Sequence, residues 1–196
     1  MSLSKVDICN IALAHLGEAA IRALDDPSRR ARLCQTAIDA AIKTVLSDLD
    51  WNFARRLKKL HEVLDVTPPA GYYAYALPSD CVVPRELHPR GSRRAWEING
   101  TNLVTNIDPE TGVHLYYTAA EIPVASYPHT FSIAVAAYTA FFMAPSLVAD
   151  QARTRALYEM YRIAASDAWH IDANIGNDYI PMDGNANYDS FVDVGE

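Results

Sequence analysis

Between Phe131 and Ala149 the chain runs for 19 residues without a charged side chain. As a helix, such a run is apolar on every side and approaches the length of a membrane span, so something must cover it all round. Lipid is one cover and neighbouring protein elements are another. Pro145 interrupts the run, and Ser132, Thr139 and Ser146 dilute it. A helix without a polar face is also what the middle of a bundle or a subunit interface requires, and we read the run that way.

Helical text surrounds this segment at both ends of the chain. Ser4 is placed to cap a first helix, with Asp7 three residues on as the capping acid and Gly17 placed to end it. Val6, Cys9, Leu13 and Leu16 then share one face. Asp26-Pro27 reads as the start of a second helix, a cap followed by proline at the first helical position, running towards Trp51. Its buried stripe is Ala31, Cys34, Ile38, Ala41, Ile42, Val45 and Leu49. Helical text resumes near Pro128, and a last helix opens at Asp150 with Leu157, Met160, Ala164, Ala168 and Ile171 along one side.

From about Leu57 to Val124 the period changes to short strands broken by Pro and Gly. Tyr73, Tyr75 and Leu77 alternate with Tyr72, Ala74 and Ala76. Asn99-Gly100 between strand-forming residues predicts a tight type I′ hairpin over Trp96 to Leu103. A further strand, Val113 to Thr118, is expected to close a small sheet. The expected fold is therefore mainly α: a four-helix bundle-like core with an inserted small antiparallel β-sheet and an extended C-terminal arm. Its divisions are a helical pair (1–56), the β insertion (57–124), a second helical pair (125–171) and the arm (172–196).

Charge singles out that arm. The formal net charge is -7, and six acidic residues, Asp172, Asp178, Asp183, Asp189, Asp193 and Glu196, fall in residues 172–196 with no Lys or Arg. The rest is nearly neutral, which disfavours sequence-specific DNA binding as a primary role. The arm also carries Ile175, Tyr179, Ile180, Met182, Tyr188, Phe191 and Val192, so it is not a plain solvated linker. Cys9, Cys34 and Cys81 form no CxxC pair, which fits a reducing compartment and small core residues. The start has no basic n-region followed by an apolar h-region, and the cytoplasm is the expected place of synthesis and work.

Catalytic motifs are scarce. His61-Glu62 begins like the zinc-protease H-E-x-x-H, but Asp65 stands where the second His is needed and Pro68-Pro69 follow. His170 and Asp172 mimic two ligands of an iron facial triad with no further histidine to complete it, and read as solvated helix-end residues. GxSxG, the P-loop and GxGxxG are absent. No catalytic, cofactor-binding or metal-ligating residue is nominated, and no cofactor is expected. A glycosidase needs only two well-placed carboxylates, so a glycan hydrolase stays open. Arg85, Arg90, Arg93 and Arg94, with His88, read as a solvated loop in preference to a nucleic-acid contact. Tyr72, Tyr73 and Tyr75 read in part as sheet core in preference to a ligand surface.

The ordered set Val6-Asp7-Ile8-Cys9-Asn10-Ile11-Ala12-Leu13, Leu16-Gly17, Ala31 to Cys34 and Trp51-Asn52-Phe53-Ala54 resembles the tail tubular protein A family of short-tailed bacteriophages. Gly71-Tyr72, Tyr75-Ala76-Leu77-Pro78-Ser79-Asp80-Cys81, Trp96 to Thr105 and Leu115 to Tyr117 continue the likeness, which covers about residues 4 to 170. The resemblance implies a structural virion protein and not an enzyme. It implies a head-to-tail adaptor, a ring of subunits, typically twelve, that docks beneath the portal protein, carries the tail nozzle or tail tube and lets double-stranded DNA pass, without a membrane partner. The implied place is the virion neck, assembled in the bacterial cytoplasm. The arm is then expected to dock on the portal, with Tyr179, Ile180, Met182, Tyr188 and Phe191 as contacts nominated from position and composition. A head-completion or stopper protein of a long-tailed phage is a second alternative.

Overall fold

A computed structural model describes residues 3–89, 96–148 and 150–175. Helix α1 spans Lys5–Leu16 and α2 spans Arg29–Asp48; six strands follow, and α3 (His129–Leu147) and α4 (Gln151–Ile175) complete the described chain. The strands are β1 (Arg55–Lys59), β2 (Tyr73–Ala76), β3 (Cys81–His88), β4 (Trp96–Asn99), β5 (Asn102–Thr105) and β6 (His114–Ala119).

The expectation of a mainly α, bundle-like protein with one small sheet is overturned. The described residues are 51% helical and 19% strand, and the strands form two antiparallel three-stranded sheets, ordered β1-β6-β3 and β2-β5-β4. The fold is mixed α/β. Its physical cause is a shared core: Leu60, Tyr75, Leu87, Leu103, Val113, Leu115 and Tyr117 from the strand region join one contiguous apolar cluster with the helices. The helices do not pack as a four-cornered bundle either. Helix α3 is a hub against which α1, α2 and α4 each pack, while α1 and α2 meet at few points, among them Lys5 with Asp39 at 2.7 Å.

Composition explains the hub. Helix α3 is long and apolar enough to cross a membrane by length and composition, but here Phe131, Ala134, Val135, Ala136, Ala137, Ala140, Met143 and Ala144 are buried against protein. The alanines let neighbouring helices approach closely. Its two buried hydroxyls are satisfied within the helix, Thr139 Oγ1 donating to the Val135 carbonyl at 2.7 Å and Ser132 Oγ to that of Pro128 at 3.3 Å.

Helix ends follow local chemistry. At α1 the Asp7 N–H donates to Ser4 Oγ (3.2 Å) and the Ser4 N–H donates to Asp7 Oδ2 (2.9 Å), a reciprocal capping box. The Ser4 hydroxyl, donating to the same carboxylate oxygen at 2.7 Å, and then the backbone bond hold that carboxyl below its usual range. Gly17 ends the helix at φ 77°, a left-handed conformation that a side chain would strain. The second helix starts later than Asp26-Pro27 predicts, because Ser28 is the cap; Asp26 instead accepts from the Arg22 and Ala23 N–H groups in the preceding turn. Three helices end beneath a guanidinium from elsewhere. Arg153 donates to the His15 carbonyl at the end of α1, Arg85 to those of Leu46, Ser47 and Leu49 at the end of α2, and Arg29 to that of Ser146 in α3. Cations there meet orphan carbonyls and the negative end of the helix dipole together.

The hairpin forms, with a different turn. Asn99 pairs with Asn102, so the two loop residues are Gly100 and Thr101. Gly100 has φ 61° and no non-glycine residue has positive φ among those described, which is the type II′ pattern and not the predicted I′. Strand β6, expected to close the sheet, lies at the centre of its own sheet between β1 and β3. The segment Leu77 to Cys81 links the two sheets: the Leu77 N–H donates to the Thr101 carbonyl (3.0 Å) and Tyr117 Oη donates to Asp80 Oδ1 (3.0 Å).

Candidate interaction site

The last turns of α4 are fastened to the junction between α2 and β1, and this fastening sets where residues 176–196 leave the body. Trp51 is fully buried, its indole Nε1 donating to the Val45 carbonyl at 2.8 Å and its ring lying edge-on to Phe131 at 5.0 Å. Asn52–Ala54 form a single 3-10 turn. Phe53 packs its ring on Phe131 and Tyr127, at 4.8 and 5.9 Å. The Trp-Asn-Phe-Ala stretch is thus anchored by aromatics on both sides of Asn52.

Asn52 faces α4. Its backbone N–H donates to Asp172 Oδ2, and its side-chain Nδ2 donates to the Asp172 carbonyl at 2.9 Å. Two more α4 side chains reach the same junction: Trp169 Nε1 donates to the Asp50 carbonyl at 3.0 Å, and Tyr161 Oη donates to Asp48 Oδ2. Burial pushes the Tyr161 hydroxyl up, and the Asp48 bond adds to it. Asp172 is 4% exposed. Burial holds its carboxyl above the usual range, and the neighbouring Asp50 pushes the same way against the N–H donors and Arg55. These groups form a clamp. Nothing in it pairs a general base with a nucleophile; Asp50 Oδ1 is buried without a hydrogen bond among the described residues, with the Arg85 Nε cation 3.8 Å away.

The structure relocates several residues read from the sequence. Asp172, counted with the acidic arm and read as solvated, is a buried part of α4, which runs on to Ile175. His170 is exposed as expected, its ring 5.2 Å from that of Trp169. The buried stripe of α4 is Leu157, Tyr161, Ala165, Ala168 and Asp172, rotated from the expected one, and Ile171 is 48% exposed. Arg85 is not a solvated loop residue: besides closing α2, its Nε donates to Thr118 Oγ1 at 2.8 Å. Tyr75 is buried, with its hydroxyl donating to the Ile107 carbonyl and its pKa pushed up to about 12 by burial; Tyr72 is exposed. His61 and Glu62 lie against β2, where the Ala76 N–H donates to the His61 carbonyl and Glu62 bridges Tyr75. Cys9 and Cys34, distant in sequence, meet between α1 and α2, and their hydrogen bond with burial drives the Cys9 thiol up. The nominated contacts Tyr179, Ile180, Met182, Tyr188 and Phe191 lie outside the described residues, as do Arg90, Arg93 and Arg94.

Sequence reasoning missed the clamp because its partners are more than a hundred residues apart. One signal was available: Asp172 falls on the same helical face as Tyr161 and Ala168, where an acid must find a donor. Among the described residues, no group of three or more His, Cys, Asp or Glu side chains is placed to hold a metal. A groove of about 580 Å³ lies beside Phe141, Pro145 and Tyr158, but its acid, Asp150, is engaged by the Ala152 and Arg153 N–H groups at the start of α4.

No family model fits the chain, and no characterised protein is significantly similar to it in sequence.

Proposed function

We propose that the protein is a bacteriophage head-to-tail adaptor, a subunit of a ring that docks under the portal, carries the tail and lets DNA pass. The reading rests on its resemblance to the tail tubular protein A family, and one structural observation supports it. The Trp51-Asn52-Phe53-Ala54 stretch that carries the resemblance is the part of the body that grips the end of α4 at Asp172. An adaptor must hand a segment to its neighbour from a fixed point, and this clamp supplies one for an acidic, aromatic-rich segment of the kind that folds on a partner. Arginines engaged on helix ends, and a nearly neutral body, favour DNA sliding over DNA sticking.

Mixing the purified protein with portal rings encoded by the same genome, followed by electron microscopy and mass measurement, tests the reading. A collar of subunits on one end of the portal is the expected product. A chain ending at Ile175 should remain folded, since the Asp172 clamp is retained, and should fail to bind. A folded, soluble full-length protein that leaves the portal bare sinks the adaptor reading and turns attention to glycan hydrolysis.

A further inference from the structure

Strand β1 is an edge strand: β6 pairs with one side of it, and no strand among the described residues pairs with the other. Its sequence is Arg55-Arg56-Leu57-Lys58-Lys59, four cations in five residues, and all four are exposed. Arg55 is engaged by Asp50, and Arg56 Nη1 donates to the Arg55 carbonyl at 3.1 Å. Lys58 and Lys59 form no ion pair among the described residues. Edge lysines guard a sheet against indiscriminate pairing, yet they also select an acidic strand when one is close at hand.

One is close at hand. The clamp places Asp172 against Asn52, three positions before β1, and α4 ends three residues later at Ile175. Residues 176–196 contain Asp178, Asp183, Asp189, Asp193 and Glu196 with no Lys or Arg. Within them, Tyr188-Asp189-Ser190-Phe191-Val192-Asp193-Val194 is rich in strand-forming residues. Side chains alternate across a strand, so Asp189, Phe191 and Asp193 would share one face as acid, apolar, acid. On β1, Arg55, Leu57 and Lys59 share one face as base, apolar, base. The two patterns match residue for residue in the antiparallel direction of the rest of this sheet, with Asp189 opposite Lys59, Phe191 opposite Leu57 and Asp193 opposite Arg55. Twelve residues, 176–187, can span roughly 40 Å, more than twice the ~17 Å length of β1.

We propose that residues 188–194 of the same chain dock on the open edge of β1 as a fourth strand of its sheet, with Asp189 and Asp193 set against the basic ends and Phe191 against Leu57. Tethering supplies the local concentration that a short strand needs. The proposal stands independently of the adaptor reading, because it concerns the isolated subunit. Its consequence for an adaptor is that a portal would have to displace this strand before taking the segment.

Amide hydrogen exchange of residues 55–59 reports the added strand directly, because only the amides facing away from β6 gain protection. In low salt the full-length chain should exchange these amides about tenfold more slowly than a chain ending at Ile175. Lys59→Asp and Asp189→Lys should each abolish the difference, and the double reversal should restore it. Equal exchange in the full-length and shortened chains overturns the proposal. Protection that rises with protein concentration also overturns it, by making the occupant a second copy's segment.

Discussion

Helices α3 and α4 pack closely on each other, yet they are held in place by different physics. Along most of its length α3 meets its neighbours through carbon, and its buried hydroxyls bond within the helix itself. Helix α4 buries a narrower stripe and adds three directional ties, from Tyr161, Trp169 and Asp172, to the junction between α2 and β1. Hydrophobic burial is strong but tolerates sliding and rotation, whereas hydrogen bonds require a particular register. The hub therefore carries stability. The clamp carries position, which matters for a helix that leads into residues 176–196.

Perturbing each helix should separate these roles. The largest effect is expected in the hub: Phe131→Ala removes a ring that touches Trp51, Phe53 and Tyr127, and should cost about 3–5 kcal/mol in chemical unfolding. Ala140→Leu, which crowds a position with no exposed surface, should cost about 1–3 kcal/mol by overpacking. In the clamp, Asp172→Ala leaves the Asn52 N–H buried without its acceptor and should cost about 1–3 kcal/mol, while Asp172→Asn, which keeps an acceptor oxygen, should recover much of the loss. A hub substitution mild enough to leave the protein folded should spare portal binding, and Asp172→Ala should impair it; equal effects on binding would remove the distinction. Tyr161→Phe deletes one hydroxyl and should cost about 1 kcal/mol.

The smallest effect is one of pH. The folded chain holds the Asp172 carboxyl above its ordinary value of 3.8, so the folded state keeps the proton more tightly than the unfolded one. That contribution is complete below the ordinary value and is lost as pH rises through the folded value. Asp172→Asn abolishes the titration. Its stability relative to the natural protein should improve as pH rises from 3.8 through the folded value and then level off, as thermal melts across that range would show; a constant difference would place the titration elsewhere.

Much of this architecture is legible locally. The Ser4-Asp7 box, the Gly17 stop, the stripe from Ala31 to Val45, the Trp96 to Leu103 hairpin and the uncharged α3 each rest on residues a few positions apart. Errors begin where two local signals compete. Asp26-Pro27 and Ser28 both suit a helix start, and Ser28 prevails because Asp26 already binds Arg22 and Ala23. Asn99-Gly100 suits a type I′ turn, but the Asn99 to Asn102 pairing moves the loop along by one residue.

The sequence by itself marked the four helices, the Trp96 to Leu103 hairpin, the strand from Val113 and the need of the uncharged helix for protein cover, but it left β1 and β3 unmarked. Periodicity and capping act within a turn or two of backbone, so they are written where they operate. Only the tertiary structure decided that the strands divide into two sheets, that Arg85 closes α2 and that Asp172 is buried on Asn52. Each of those outcomes depends on which distant polar group finds a partner when water is excluded. An arginine or an aspartate looks the same along the chain whether it faces solvent or a carbonyl 36 residues away, as Arg85 does at Leu49.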